Sequence, residues 1–177
     1  MTTTEYSVKA SAILDELGRL GVTDIVTVPD YVMMSVHHKV EDGYLKGVRN
    51  INCATEDEVF CVCMGLWIGG RVPVALMQNQ GLFAGSNALR SAGLHVGLPL
   101  LILAGQWGRE LANLGKDPGG SARREVRMTE PLLDAMEVPR YRLEHPRDIG
   151  VIGEAFRRAQ KESKPVCVLV GAHTAYA

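Results

Sequence analysis

Three consecutive acids, Glu56, Asp57 and Glu58, stand directly before the apolar run 59–67 of this 177-residue chain. A carboxylate in that position has two quite different uses. It can accept hydrogen bonds from the free N–H groups that begin a helix, where the helix dipole also favours negative charge. It can instead face a bound ligand and hold or move a proton there. Taken by themselves, the three acids favour helix capping over ligand binding.

Polar residues also follow three other apolar segments. They are Asp30, the run Gln78-Asn79-Gln80-Gly81 and the run Gly105-Gln106-Trp107-Gly108. If the apolar segments are parallel strands, their carboxyl ends meet at one edge of a sheet, which is where ligands of such sheets bind. Asp30 could equally cap the helix that follows it, and Gln78 and Asn79 could belong to a turn.

Short apolar segments alternate with longer amphipathic ones along the whole chain. Strands are predicted at 24–28, 48–53, 72–77, 98–105, 140–143 and 164–171. Helices are predicted at 7–21, 32–41, 57–69, 81–93, 130–137 and 146–163, with a long loop at 106–128. This alternation predicts an α/β fold, a three-layer α/β/α sandwich with a six-stranded parallel sheet, as one domain over 1–177. Because 57–69 is apolar nearly all round, that helix is expected to be deeply buried.

The composition is that of an ordinary globular protein, with 46% hydrophobic and 22% charged residues. A formal net charge of −1 gives no electrostatic reason to expect nucleic acid or an anionic membrane as a partner. The apolar stretches are broken well short of a membrane span. The first ten residues, MTTTEYSVKA, lack the basic and apolar parts of a secretory signal, so a cytoplasmic location is expected.

Common nucleotide, hydrolase and metal motifs are not found in the sequence. It has no GxxxxGK[ST] run, no GxGxxG after the first strand, no GxSxG and no HExxH, and no metal site is expected on this chain. His37 and His38 would point about 100° apart on a helix, so both cannot face one site. A surface position is expected for them, with a functional role for one of the two, such as proton transfer, as the alternative. The cysteines are expected to be small, reduced core residues. They are Cys53, Cys61, Cys63 and Cys167.

Together these segments resemble the pyrimidine-binding domain of thiamine-diphosphate-dependent enzymes. More narrowly, they are similar to the N-terminal domain of phosphonopyruvate decarboxylases and to the alpha subunit of sulfopyruvate decarboxylases. The resemblance is carried by VPDYVMMSV (28–36), CATEDEVFCVCMG (53–65), VPVALMQNQGLFAGSNAL (72–89), LPLLILAGQWG (98–108) and MTEPLLDAMEVP (128–139). The M-Q-N-x-G-L run together with an E-x8-G spacing is more specific than either one alone.

The resemblance implies roles for particular residues. The family's glutamate lies nine residues before a helix glycine, which is Glu56 before Gly65 here, and it hydrogen-bonds N1′ of the cofactor's aminopyrimidine. The cofactor is then the electron sink when a 2-oxo acid loses carbon dioxide. Asp30 is implied to contact substrate or relay a proton. The residues implied to line the cofactor cleft are Gln78, Asn79, Gly81 and Leu82.

The chain departs from the family after the fourth strand. An acid–proline–glutamine–histidine run is replaced by KDPGGSARR (116–124), which leaves the substrate open. Arginines in this region could hold an anionic group, since Arg suits bidentate binding of oxyanions, or they could form a solvated loop face. The candidates are Arg109 and Arg124, together with Arg123 and Arg127.

No GDG motif, which in this family marks the domain that holds the diphosphate and Mg²⁺, occurs in the 177 residues. The resemblance therefore implies a beta subunit carrying the diphosphate/Mg²⁺ (PP) domain, with thiamine diphosphate between the chains of an α2β2 or larger assembly. Helix 57–69 and the Met-rich segment 32–36 are candidate interface surfaces. The implied function is the alpha subunit of a 2-oxo-acid decarboxylase for a sulfopyruvate- or phosphonopyruvate-like acid. A carboligase of the same cofactor class and a non-catalytic assembly or regulatory homologue are the alternatives.

Overall fold

The computed structural model describes residues 4–176. Residues 1–3, which begin the stretch expected not to be a signal, lie outside the described residues. The same is true of residue 177, the end of the predicted domain.

Six strands form one parallel sheet. They are β1 Asp24–Thr27, β2 Arg49–Asn52, β3 Pro73–Gln78, β4 Leu101–Gly105, β5 Arg140–Leu143 and β6 Val166–Val170. Their order across the sheet is β2-β1-β3-β4-β6-β5, and every neighbouring pair runs parallel. The predicted α/β fold with a six-stranded parallel sheet is confirmed.

Strand position in the sheet follows the residue pattern of each strand. The central strands β4 and β6 read LILAG and VCVLV and are buried at every position, as expected where helices cover both faces. The outer strands β2 and β5 read RNIN and RYRL and keep exposed or half-exposed residues. Charged residues at these two edges also discourage pairing with a further strand.

Helices cover both faces of the sheet. They are α1 Ala10–Arg19, α2 Met34–Glu41, α3 Glu56–Ile68, α4 Asn79–Ala84, α5 Ser86–Ala88, α6 Arg124–Ala135 and α7 Val151–Glu162. One apolar core lies between the sheet and α1, α2 and α7, and a second lies between the sheet and α3–α6. Within residues 4–176, no helix has the length and hydrophobicity needed to cross a membrane.

The expectation that helix 57–69 is deeply buried is wrong for this chain by itself. The side of α3 that meets the sheet buries Val59, Phe60 and Cys63, whereas Cys61 and Ile68 are exposed on the other side. An all-apolar sequence does not show which side of a helix its own chain covers. The outer side of α3 has no cover within the described residues.

The region between β3 and β5 is more helical than predicted. The helix expected at 81–93 already begins at Asn79, and α5 continues as a π-helix over Leu89–His95. The expected loop 106–128 contains 3-10 turns at Leu111–Asn113 and Pro118–Gly120, and α6 begins at Arg124 rather than at residue 130. Turns of three residues are too short to give a repeating apolar spacing, so the residue pattern did not predict them.

Burial also differs from expectation around α2 and at one cysteine. His37 is buried, and so are Met33 and Val36, which makes most of segment 32–36 part of this chain's own core rather than a free interface. Cys63 and Cys167 are buried as expected, and burial raises the pKa of both thiols. Cys61, in contrast, is exposed on the outer side of α3. Cys53 is half-buried.

Candidate active site

The chain reverses direction across the sheet twice, and both reversals place polar groups at the carboxyl edge. From β1 it moves outward to β2 and then returns past β1 to β3. From β4 it skips to the outer strand β5 and returns to β6. Such reversals open crevices beyond the carboxyl ends of the strands, because the helices on either side leave in opposite directions. The acids and amides predicted at this edge therefore lie around two neighbouring crevices.

Glu56 begins α3 and lies against α4. A Cβ atom added to Gly81 would sit 2.6 Å from Glu56 Cγ and 3.0 Å from Glu56 Oε1, so a glycine at this position gives the acid its space. A Cβ atom at Gly85, one turn later, would meet the Phe60 ring at 2.7 Å and the Glu56 carbonyl oxygen at 3.0 Å. Gly81 and Gly85 thus let the start of α3 pack closely against α4, and this packing fixes the direction of the Glu56 side chain.

The two neighbouring acids have local roles that Glu56 does not share. Glu58 Oε2 accepts a hydrogen bond from the Ala54 N–H at 2.9 Å and closes the start of the helix. The hydroxyl of Thr55 and the N–H groups of the first turn hold the pKa of Asp57 below its usual value. Glu56 is half-buried, and no hydrogen bond to its carboxylate is found within the described part of the chain. Of the three acids, it is the one left available to a ligand.

Gln78 and Asn79 stand where β3 passes into α4. Asn79 is buried, donates from Nδ2 to the Trp107 carbonyl at 3.3 Å, and accepts at Oδ1 from the Gln80 N–H at 3.0 Å. It therefore ties the end of β3 to the segment after β4. Gln78 is half-buried at the edge, whereas Leu82 is fully buried in the core between the sheet and α3–α6. The structure gives Leu82 a packing role and no surface on the crevice.

Asp30 holds the turn that leads into α2 and also carries an unpaired oxygen. Its Oδ1 accepts from the Met33 N–H at 2.8 Å, but the N-cap of α2 is Met33 itself, so Asp30 does not cap the helix. Its Oδ2 is buried without a hydrogen bond and lies 3.8 Å from His37 Nε2. That nitrogen accepts from the Asp30 N–H at 3.2 Å, which assigns the His37 proton to Nδ1. A buried acceptor without a partner costs about 1–3 kcal/mol.

The two arginines proposed for substrate binding have different surroundings. The Arg109 side chain is fully buried, and its Nη2 pairs with Glu144 Oε1 at 2.7 Å. Its guanidinium also donates to Gln106 Oε1 and to the carbonyls of Asn113 and Lys116. Burial lowers the pKa of Arg109 although Glu144 opposes the shift. Arg109 is therefore neither a free cation nor part of a solvated loop face.

Arg124, in contrast, is exposed at the first position of α6. Within residues 4–176 it forms no hydrogen bond or ion pair. The structure thus gives Arg109 a mainly structural role and leaves Arg124 solvated.

A cleft of about 330 Å³ opens at the second crevice, between the ends of β1, β4 and β6. Its walls include Tyr31, Gln106, Arg109 and His173. The Tyr31 ring packs edge-to-face on both Trp107 and His173, with ring centroids 5.4 and 5.2 Å apart. Sequence reasoning placed Gln106 at this edge but missed Tyr31 and His173, because neither belongs to a recognisable motif. Within the described residues, no group of three His, Cys, Asp or Glu forms a metal site.

These features are those of a parallel α/β domain with unpaired polar groups at the carboxyl edge of its sheet, where ligands of such sheets generally bind. No family model matches the chain. It is 28% identical over 163 residues to sulfopyruvate decarboxylase subunit alpha of Methanocaldococcus jannaschii, which covers 91% of this chain and 92% of that relative. Against the protein of the same name from Methanococcus maripaludis it is 29% identical over 163 residues, covering 91% and 90%.

Phosphonopyruvate decarboxylase of Streptomyces hygroscopicus is 30% identical over 103 residues, which is 58% of this chain and 25% of that relative. The similarity to sulfopyruvate and phosphonopyruvate decarboxylases that the sequence motifs indicated is thereby confirmed.

Proposed function

We propose that this chain is the alpha, pyrimidine-binding subunit of a two-subunit, thiamine-diphosphate-dependent decarboxylase. Its substrate would be a 2-oxo acid with a second anionic group, of the sulfopyruvate or phosphonopyruvate type. The two relatives matched over nearly their whole length are both named sulfopyruvate decarboxylase subunit alpha. The third is named phosphonopyruvate decarboxylase.

The Glu56 carboxylate is the observation that carries the proposal. It is half-buried and packs against Gly81. It does not take part in the hydrogen bonds that its two neighbours make at the start of the helix. A carboxylate fixed in this way can accept a hydrogen bond from a protonated ring nitrogen without first giving up a protein partner. Such a carboxylate suits the aminopyrimidine of thiamine diphosphate, where Glu56 would hold the proton at N1′.

Other residues at the edge would orient the cofactor. Gln78 would line the cofactor cleft beside Glu56, and Gly81 would keep Glu56 in place. Asn79 would hold the Trp107 segment through its hydrogen bond to that carbonyl. The proposed role of Asp30 in proton relay rests on its unpaired Oδ2. When bound, the cofactor would supply an electron sink for the release of carbon dioxide.

A partner chain would supply the diphosphate and Mg²⁺ site. The sequence contains no GDG motif, and the match to phosphonopyruvate decarboxylase covers only 25% of that protein. The outer side of α3 exposes Cys61 and Ile68, and exposed apolar residues grouped on one side of a helix are typical of an interface. These observations support an assembly in which the cofactor lies between alpha and beta chains.

Replacing Glu56 with Gln in the reconstituted complex tests the proposal. The variant is expected to assemble normally but to lose turnover by about a hundredfold or more, because Gln cannot hold the proton at N1′. Glu58→Gln is the matched control, since the amide oxygen still accepts from the Ala54 N–H. Unchanged turnover of Glu56→Gln would remove the proposed mechanism.

Titration calorimetry with thiamine diphosphate and Mg²⁺, with and without the partner chain, tests the divided cofactor site. Tight binding is expected only with both chains present. A turnover screen with sulfopyruvate, phosphonopyruvate and pyruvate would then identify the substrate. Assembly without turnover of any of these acids would favour a non-catalytic subunit.

A further inference from the structure

We propose that a cleft at the amino edge of the sheet is a binding site for a small aromatic carboxylate, a single ring that carries one acid group. This amino-edge cleft has a volume of about 290 Å³, at the lower end of the range of small-molecule sites. It lies at the opposite edge of the sheet from Glu56, and the proposal is independent of the function proposed for that residue. The walls that matter for the ligand are Trp67, Arg71, Pro73, Pro99, Phe156 and Gln160.

The position of Trp67 on α3 is the first argument. Trp67 lies on the same side of the helix as Phe60 and Cys63, at steps of three and four residues, and those two side chains are fully buried. Trp67 is nevertheless 36% exposed, because its neighbours in the cleft are the residues at which β3 begins, where the sheet ends. A large aromatic ring on the core side of the helix is therefore left open to the cleft.

A second aromatic ring approaches the cleft from the other face of the sheet. Phe156 belongs to α7 and packs on the core between the sheet and α1, α2 and α7, whereas α3 covers the opposite face. The rings of Pro73 and Pro99 complete the apolar wall between them. An aromatic ligand can contact Trp67 and Phe156 in edge-to-face or offset geometry, which an aliphatic chain cannot do.

Arg71 gives the cleft a fixed hydrogen-bond donor. Its Nε donates to Asp24 Oδ2 at 2.8 Å and its Nη2 donates to the Thr23 carbonyl at 3.2 Å, so the plane of the guanidinium is held in place. Within residues 4–176, no hydrogen bond from its Nη1 is found, and the side chain is 36% exposed. A guanidinium oriented in this way suits a carboxylate, and little side-chain entropy is lost on binding.

The balance of charge at this edge also favours an anion. Asp24 accepts a hydrogen bond from Arg49 Nε at 2.6 Å in addition to the one from Arg71. One carboxylate thus faces two guanidinium groups, and one positive charge is not neutralised. Among the described residues, none that lines the cleft is acidic. A ligand with a single negative charge satisfies this excess, whereas a cation does not.

Fluorescence of Trp67 tests the proposal directly. The chain has two tryptophans, so Trp107→Phe leaves Trp67 as the reporter of the cleft. Benzoate and phenylacetate would be titrated into this variant at constant ionic strength, and we expect a saturable change in fluorescence with at least one of them. Cyclohexanecarboxylate has the charge without the aromatic ring, and benzyl alcohol has the ring without the charge. Both are expected to bind several-fold more weakly.

A saturable response to neither aromatic acid would overturn the proposal. Equal affinity for cyclohexanecarboxylate would refute the aromatic part of the assignment, and equal affinity for benzyl alcohol would refute the role of charge.

Two variants, measured by calorimetry, locate the site. Arg71→Gln removes the free donor and the excess charge, and it should weaken binding by about tenfold or more. Phe156→Leu keeps an apolar side chain on α7 but removes the ring, and it should weaken binding less. Arg147→Gln makes the same change of charge on a side chain that is 80% exposed beyond the end of β5, at the opposite edge, and should leave the affinity unchanged.

Urea unfolding of each variant shows whether the fold is kept, since Arg71 also pairs with Asp24. Phe156→Leu provides the test if Arg71→Gln is unstable. Wild-type affinity in the folded variants of the cleft, or equal weakening by Arg147→Gln, would place the ligand elsewhere and refute the assignment. Because these measurements do not depend on turnover, they are separable from failure of the function proposed for Glu56.

Discussion

The two edges of the sheet treat buried polar groups in opposite ways. At the amino edge, Asp24 begins β1 and is fully paired: Oδ1 accepts from Arg49 at 2.6 Å, and Oδ2 accepts from Arg71 and Thr23 at 2.8 and 2.7 Å. At the carboxyl edge, the Glu56 carboxylate is outside the capping contacts, and Gln106 Nε2 is buried without a partner. The fold therefore pairs the buried acid at its amino edge completely and leaves several buried polar atoms at its carboxyl edge without a partner.

The comparison distinguishes buried polar side chains that stabilise the fold from those that remain available to bind a ligand. Burial alone would raise the pKa of Asp24, but the hydrogen bonds from Arg71, Thr23 and Arg49 outweigh it and lower that pKa. This pairing stabilises the folded chain. Buried polar groups without partners weaken a fold, so their concentration at one edge indicates binding or chemistry there.

Gly81→Ala gives the largest expected effect on function. The added methyl group would displace Glu56, and a shift of about 1 Å in a catalytic group can lower turnover about a hundredfold. The free energy of unfolding should change by less than about 1 kcal/mol, because the displaced side chain is flexible and Ala favours helix. Turnover of the reconstituted complex and urea unfolding of the chain measure the two effects.

Gly65→Ala on α3 is the control for stability, because nothing lies within 4 Å of its added Cβ. Normal turnover of Gly81→Ala would mean that the position of Glu56 does not matter.

Asp24→Asn should have the next largest effect, now on stability. The amide places a donor opposite two arginines and loses charge-assisted hydrogen bonds, at a cost of about 2 kcal/mol once the partial exposure of both arginines is considered. Turnover per assembled complex should be unchanged. Urea unfolding at neutral pH measures the effect, and a loss below about 0.5 kcal/mol would contradict the structural role of the amino edge.

The pH dependence of stability sharpens the same comparison. Because the pKa of Asp24 is lower in the folded chain than its usual value of 3.8, its contribution is fully present above about pH 4 and is lost as the pH falls further. Wild-type chain should therefore lose more stability than Asp24→Asn when unfolding is measured from pH 5 downward. Parallel curves for the two proteins would show that Asp24 is not the group responsible.

Asp30→Asn should have the smallest effect on stability although it is the same substitution. Asn keeps the acceptor for the Met33 N–H, and its NH2 group replaces an oxygen that is already buried without a partner, so no existing hydrogen bond is lost. The free energy of unfolding should change by less than about 1 kcal/mol. A loss as large as that of Asp24→Asn would show that both edges depend on charge to the same degree.

The residue pattern predicted the sheet more reliably than the site. Continuous apolar runs such as LILAG can only be buried strands in this context, and the mixed RNIN and RYRL runs were found at the edges. Singling out Glu56 among three acids required the family spacing to Gly65, because the three acids alone favoured capping. Its contact with Gly81 depends on the packing of α3 on α4, which no local pattern encodes.

The predictions of side-chain exposure were wrong where tertiary contacts override the local sequence pattern. His37 is buried because its ring accepts the Asp30 N–H, and Arg109 is buried because Glu144 pairs with it. The cleft that contains Gln106 joins Tyr31 to His173, from opposite ends of the chain. Sequence spacing gives no information on such long-range contacts, so the cleft could not be predicted.

The two sides of α3 have a consequence for how the helix tolerates mutation. Val59, Phe60 and Cys63 are restricted by the sheet, whereas Cys61 and Ile68 face away from it. A saturation mutagenesis screen that scores folding of the isolated chain would find one permissive side of this helix. If the proposed partner chain covers this helix, a screen that scores growth dependent on the whole assembly would find both sides restrictive. The difference between the two maps would then outline the surface that the partner contacts.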